Sequence, residues 1–129
     1  MIDKPEILLV GVHPNFLNNL VRIFEVDFHV VSALGPMSAI EALSELQSIR
    51  VIIADAEYKT MNCLEFFKHI SEQFPQRDFY KIVYAVSGDK NKIAMIEKSK
   101  NDFDAFVRGA DSSKFIIHAV KQGLKCTTV

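Results

Sequence analysis

Five short apolar runs separated by amphipathic stretches constrain most strongly how these 129 residues can fold. The runs read EILLVG (6–11), FHVVSA (28–33), RVIIAD (50–55), YKIVYAV (80–86) and FDAFVR (103–108). They are rich in Val and Ile, and most do not alternate apolar with polar residues. A strand with one face in water alternates, whereas a strand covered on both faces does not. The runs therefore predict strands of a parallel sheet with helices on both sides. The last is the least regular, because Asp104 interrupts it.

The segments between the runs carry helical patterns. PNFLNNLVRIFEV opens on Pro14, which suits a first helical position, and sets Phe16, Leu17, Leu20, Val21, Ile23 and Phe24 along a stripe. GPMSAIEALSELQS places Met37, Ile40, Leu43 and Leu46 at spacings of three, and NCLEFFKHISEQF places Leu64, Phe67 and Ile70 likewise. DKNKIAMIEKSKN is shorter and more polar. DSSKFIIHAVKQGL begins on an Asp-Ser-Ser cap region and ends near Gly123. Five strand–helix units in alternation predict an α/β fold, a doubly wound five-stranded parallel sheet with right-handed crossovers. No repeat, linker or composition shift divides the chain, so a single domain over 1–129 is expected, ordered over about 5–124.

Composition narrows the classes of function. Sixteen acidic and fifteen basic residues are interspersed for a net charge of -1, which gives no global pull toward nucleic acid or a membrane surface. No apolar run approaches membrane-spanning length, and the charged opening MIDKPE is not a secretory signal. Cys63 and Cys126 are far apart and match no metal or redox spacing, which fits a reduced, cytoplasmic chain. The lysines of KNKIAMIEKSK (Lys90, Lys92, Lys98 and Lys100) read as a solvated helix face.

In open parallel sheets, chemistry sits beyond the carboxyl ends of the strands. The residues to weigh are therefore Gly11-Val12-His13, Ser32-Ala33, Asp55-Ala56-Glu57, Ser87-Gly88 and Arg108-Gly109. Asp55 is the one carboxylate that closes a central run. It suits a nucleophile or metal ligand, and equally a cap for the turn that follows. Ser87 ends the next run, where a hydroxyl can donate to an anion such as a phosphoryl oxygen or serve the turn before Gly88-Asp89. His69 and His118 sit among apolar residues and read as helix-surface or core-edge positions, and His29 lies in a strand without evident chemistry.

VIIADAEYKTMNCLEFF aligns without a gap with the segment around the phosphoacceptor of one large family. Over about 5–124 the chain resembles the receiver domains of two-component response regulators. The resemblance implies a flavodoxin-like (βα)5 fold and a role in phosphorelay signalling rather than catalysis. It puts Asp55 on the phosphoacceptor position, Ser87 on the Ser/Thr switch position and Phe106 on the aromatic switch position. Met61, Asn62, Leu64 and Glu65 fit the loop-to-helix pattern that follows. The implied partners are proteins: a histidine kinase, an effector or output domain, and a second copy through the face of the fourth helix, fifth strand and fifth helix. No direct contact with nucleic acid or membrane is implied.

The departures bear on function. Two acidic positions after the first strand, which help hold Mg²⁺ in the family, fall on Gly11 and Val12. The lysine position after the last strand falls on Gly109. The Met-Pro pair becomes Tyr58-Lys59, and a Gly becomes Cys63. Joining a phosphoryl group to a carboxylate brings two anions together, and catalysis consists largely of cancelling that charge. Mg²⁺ requires near-octahedral oxygen ligands. With only Asp55 and Glu57 as candidate carboxylates, weak Mg²⁺ binding, no other cofactor and impaired phosphorylation are expected. The chain then reads as a degenerate, pseudo-receiver-like interaction module. A working phospho-receiver with Asp55 as acceptor is the competing expectation. His13, Glu57, Arg108 and Lys59 are candidate substitutes for the lost groups. Their plainer readings are a helix cap for His13 and a solvated loop carboxylate for Glu57. A flavin or nucleotide site would need a phosphate cradle after the first strand, and GVHPNFLNN has one Gly, no hydroxyl and a Pro that removes an N–H.

Overall fold

Parallel pairing joins the five apolar runs into one sheet. The computed structural model describes residues 4–85, 90–108 and 112–127, without the side chains of 112, 113, 126 and 127. The elements are β1 (Glu6–Gly11), α1 (Pro14–Phe24), β2 (His29–Leu34), α2 (Pro36–Glu45), β3 (Val51–Asp55), α3 (Cys63–Gln73), β4 (Tyr80–Ala85), α4 (Lys90–Lys98), β5 (Ala105–Arg108) and α5 (Ser112–Thr127). The strands lie in the order β2-β1-β3-β4-β5, all parallel. This is the flavodoxin-like (βα)5 arrangement.

The sheet separates two apolar layers. On one face Leu8, Val10, Ile52, Ala54 and Val83 pack with Leu43, Phe66, Phe67, Ile70, Ile93 and Ile96 from α2, α3 and α4. On the other, Ile7, Leu9, Val51, Ile53 and Ile82 pack with Leu17, Leu20, Phe24, Ile116 and Val120 from α1 and α5. β1 and β3 are covered on both sides, as their continuous apolar runs require. The two outer strands differ from the expectation of burial on both faces. β2 is half-exposed and lies one residue later than its run, with Phe28 buried just ahead of it. β5 begins at Ala105 rather than at 103. The Asp104 amide donates to the Lys81 carbonyl at 2.8 Å, and the Lys81 amide donates to the Asp104 carboxylate at 2.8 Å. The side chain thus takes the bond that a strand carbonyl would otherwise accept.

Two helices also depart from their patterns. In α2 the buried residues are Pro36, Ala39 and Leu43, while Met37 is 76% exposed. Spacings of three cannot hold one face: at about 100° per residue, Met37 and Leu43 lie about 120° apart around the helix, and Leu46 falls just beyond its end. α5 runs past Gly123 to Thr127. Gly123 is not a terminator but a point of close approach, since a Cβ there would lie 2.3 Å from Cδ2 of the Tyr80 ring.

Arg77 ties the α3–β4 connection to the end of α2. Its guanidinium donates to the carbonyls of Leu43 (2.6 Å), Leu46 (3.0 Å) and Ile49 (3.1 Å) and lies 4.6 Å from the Phe79 ring centroid. It supplies donors to carbonyls at and beyond a helix end that lack helical partners. Arg77→Ala is expected to lower the free energy of unfolding by about 2–4 kcal/mol. Arg77→Lys should recover only part of it, because a single ammonium cannot span the three acceptors. Urea unfolding of both variants checks this.

Candidate functional site

The register of the central strands builds the site. β3 pairs with β4 so that Asp55 stands opposite Tyr84. One residue beyond the Val10–Ala54 pair, Gly11 and Asp55 are likewise neighbours. In-register residues of parallel strands point to the same face. Gly11, Asp55 and Tyr84 therefore form one row at the carboxyl edge of the sheet, on the side of α1 and α5.

Asp55 is 8% exposed, the one charged residue among the buried side chains described. Its Oδ1 accepts a long hydrogen bond from the Glu57 amide, 3.4 Å. Burial pushes its carboxyl up from the ordinary 3.8 to about 6, against the opposing pull of that amide and of the nearby His13 imidazole. The Glu57 carboxylate, also close, adds to the rise. His13 and Glu57 thus both lie near enough to Asp55 to act on its charge. The structure revises the plainer readings of both. His13 occupies the N-cap position of α1, but its side chain makes no capping bond. Glu57 is half-buried, and its Oε1 is buried without a hydrogen-bond partner among the described residues.

The loop after β3 is held by its backbone. Ala56 N–H donates to the Tyr84 carbonyl (3.0 Å), Tyr58 N–H to the Met61 carbonyl (2.9 Å) and Cys63 N–H to the Ala56 carbonyl (2.9 Å). Asn62 caps α3, its side chain accepting from the Glu65 amide at 3.0 Å. Tyr58 packs against Phe66 with ring centroids 5.8 Å apart, and its hydroxyl is buried without a partner among the described residues. Cys63 is fully buried and its thiol is pushed up to about 12 by burial, so it is inert at neutral pH.

The remaining expected residues divide. Phe106 is half-buried on the layer of α2, α3 and α4, beside Phe103, ring centroids 5.7 Å apart. Val12 packs against the same layer and offers no ligand atom. Arg108 does not stand in for the lost cation: it is exposed and pairs with Glu97 of α4 at 3.5 Å. Lys59 is exposed on the rim of an open cleft of about 520 Å³ that runs from Glu57 and Tyr58 to Lys92 and Met95 of α4. Ser87 and Gly109, the switch and lysine positions, lie outside the described residues.

Tyr84 was not singled out from the sequence. It reads there as one more apolar residue in YKIVYAV. Its ring packs on Phe16 (5.5 Å between centroids), and its hydroxyl donates to the Val10 carbonyl at 3.3 Å. To reach β1 from β4 it passes the intervening β3. A Cβ built on Gly11 would lie 2.7 Å from that hydroxyl. The only available sequence signal was a second phenol, after Tyr80, close to the carboxyl end of a mostly apolar strand.

These residues do not fit a Mg²⁺ ion held by the protein. Among the described residues no group of three or more His, Cys, Asp or Glu side chains is placed to hold a metal. β1 contributes no oxygen side chain, and the space beside its last residue is taken by Tyr84.

Neither a protein-family model nor a curated protein matches the sequence. Solved structures do match. A response regulator receiver domain protein from Clostridium thermocellum is 18% identical, covering 93% of this chain and 94% of that one, with a TM-score of 0.77. The signal receiver domain of an HD domain-containing protein from Pseudomonas fluorescens Pf-5 is 20% identical over 95% of each chain, TM-score 0.78. FixJ-N is 15% identical over 100% of this chain and 99% of that one, TM-score 0.79. The chain has the fold of response regulator receiver domains.

The Asp55 carboxyl sets a pH dependence whose sign is fixed. The folded state holds its proton more tightly than the unfolded state, so ionisation costs stability as pH rises from about 4 through about 6. Asp55→Asn is expected to be more stable than wild type by up to about 3 kcal/mol at pH 7.5. The advantage should vanish near pH 4. Denaturant midpoints across that range check it, and a difference independent of pH would contradict a carboxyl whose proton affinity is raised by burial.

Proposed function

We propose that this chain is a receiver-type module of two-component signalling that works mainly through protein–protein interaction, with Mg²⁺-dependent phosphorylation of Asp55 impaired. One observation carries the reading. Asp55 closes a central strand of a receiver-type fold, yet the adjoining strand end offers a glycine pressed against a tyrosine hydroxyl instead of a metal-binding carboxylate. In this reading Ser87 and Phe106 keep the switch positions, while Gly11, Val12 and Gly109 mark the lost ones. The module is a signalling element rather than a catalyst. It forms one domain in the cytoplasm and has no direct business with nucleic acid or lipid. No helix among the described residues is long and apolar enough to cross a membrane.

The physical case is electrostatic. An ionised Asp55 meets an incoming phosphoryl dianion with no metal to bridge them. His13 is the nearby group that could carry positive charge, and it is exposed. An exposed imidazole screened by water does not replace a divalent ion. Incubation with acetyl phosphate and Mg²⁺ is expected to add no phosphoryl mass to either wild type or Asp55→Asn. A phosphoryl adduct that depends on Asp55 would instead establish the working phospho-receiver.

The partner surface in this reading is the face of α4, β5 and α5. Phe115 of α5 is 62% exposed there, beside exposed Lys114 and His118, and the Arg108–Glu97 pair links β5 to α4. A large exposed aromatic with polar neighbours suits a protein contact. Sedimentation velocity is expected to show a wild-type dimer that Phe115→Asp converts to monomer. A monomeric wild type at high micromolar concentration would remove the second copy from the list of partners.

A further inference from the structure

The Asp55 pocket is closed on its β1 side, and the residue that closes it comes from β4. Gly11, Asp55 and Tyr84 share one row. Tyr84 is 1% exposed, so its ring has no solvent to retreat into. It is held by Phe16 on one side and by its bond to the Val10 carbonyl at the tip. Leu17 Cδ1 lies 3.4 Å from the same notional Cβ, so the room is bounded on the α1 side as well.

We infer that Tyr84 is the positioning residue that keeps a metal out of this pocket: its hydroxyl occupies the room beside Asp55 that a ligand on residue 11 would need. The inference rests on reading the pocket as a degenerate receiver site. It adds that the pocket is filled, not merely short of ligands, and that residues 11 and 84 are coupled. A carboxylate at residue 11 must displace a buried phenol before it can reach the edge where Asp55 lies, and close-packed interiors resist such insertion.

The test is a double-mutant cycle read by Mn²⁺ binding, followed through water-proton relaxation, and by thermal unfolding. Gly11→Asp alone is expected to bind Mn²⁺ no better than wild type. Gly11→Asp/Tyr84→Ala is expected to gain affinity by about tenfold or more, and to lose that gain when Asp55→Asn is added. Equal binding by Gly11→Asp with and without Tyr84→Ala would overturn the inference. So would the absence of any gain in the double variant, since opening the space would then not be what metal binding lacks.

A second cycle covers the case in which Gly11→Asp does not fold. Gly11→Ala is expected to lower the melting temperature by about 3–8 °C in the Tyr84 background and by clearly less in Tyr84→Phe, which removes only the hydroxyl. Equal losses in both backgrounds would overturn the closure. Tight, Asp55-dependent Mn²⁺ binding by wild type would be a different failure. It would sink the degenerate reading itself, and the Ala cycle would still decide whether Tyr84 packs against residue 11.

Discussion

Three neighbouring parallel strands in register set one row of residues at the edge of the sheet, and the properties of the site follow from what that row contains. Asp55 sits in the middle, flanked by Gly11 on β1 and Tyr84 on β4. Because β3 is covered on both faces, the last residue of VIIAD cannot reach water freely. Because Gly11 has no side chain, the Tyr84 hydroxyl can cross to the Val10 carbonyl. A buried carboxyl, an absent ligand and a transverse phenol are thus one packing arrangement rather than three separate features.

That arrangement has an electrostatic consequence. Desolvation of Asp55 outweighs what opposes it among the described residues, the backbone amides of Glu57 and Ala56 and an exposed imidazole. In a site with a divalent ion the same burial would strengthen the attraction between carboxylate and metal. Here it raises the proton affinity of the carboxyl and makes the ionised form expensive. The Glu57 Oε1 and the Tyr58 hydroxyl are also buried, with no partner among the described residues, and burying a polar atom costs free energy that a hydrogen bond would offset. The surrounding scaffold bears these costs through its two apolar layers and through clamps such as Arg77.

Much of this was legible in the sequence, for local reasons. The apolar runs and the segments between them located five strands and five helices, because burial on both faces leaves a continuous run that periodicity can find. The position of Asp55 followed from the rule that such sheets work at their carboxyl ends. Features that depend on contacts between distant segments were hidden. Edge strands such as β2 look as apolar as central ones, since exposure depends on which neighbour is missing. The apolar spacing in α2 was read as one stripe, although residues three apart drift around a helix. Gly123 read as a helix end because its role is set by Tyr80, far away in sequence. Tyr84 and Arg77 act across the sheet and between connections, where no short motif reports them.

The central claim is that a receiver fold here carries a pocket unable to take up metal and phosphoryl together. The most direct measurement is amide NMR of the wild-type protein titrated with Mg²⁺ and beryllium fluoride, which together mimic the metal-bound phosphoryl group. The account expects the resonances of Ala56, Glu57 and Tyr58 to stay in place up to millimolar concentrations. Saturable shifts of those amides that disappear in Asp55→Asn would contradict it.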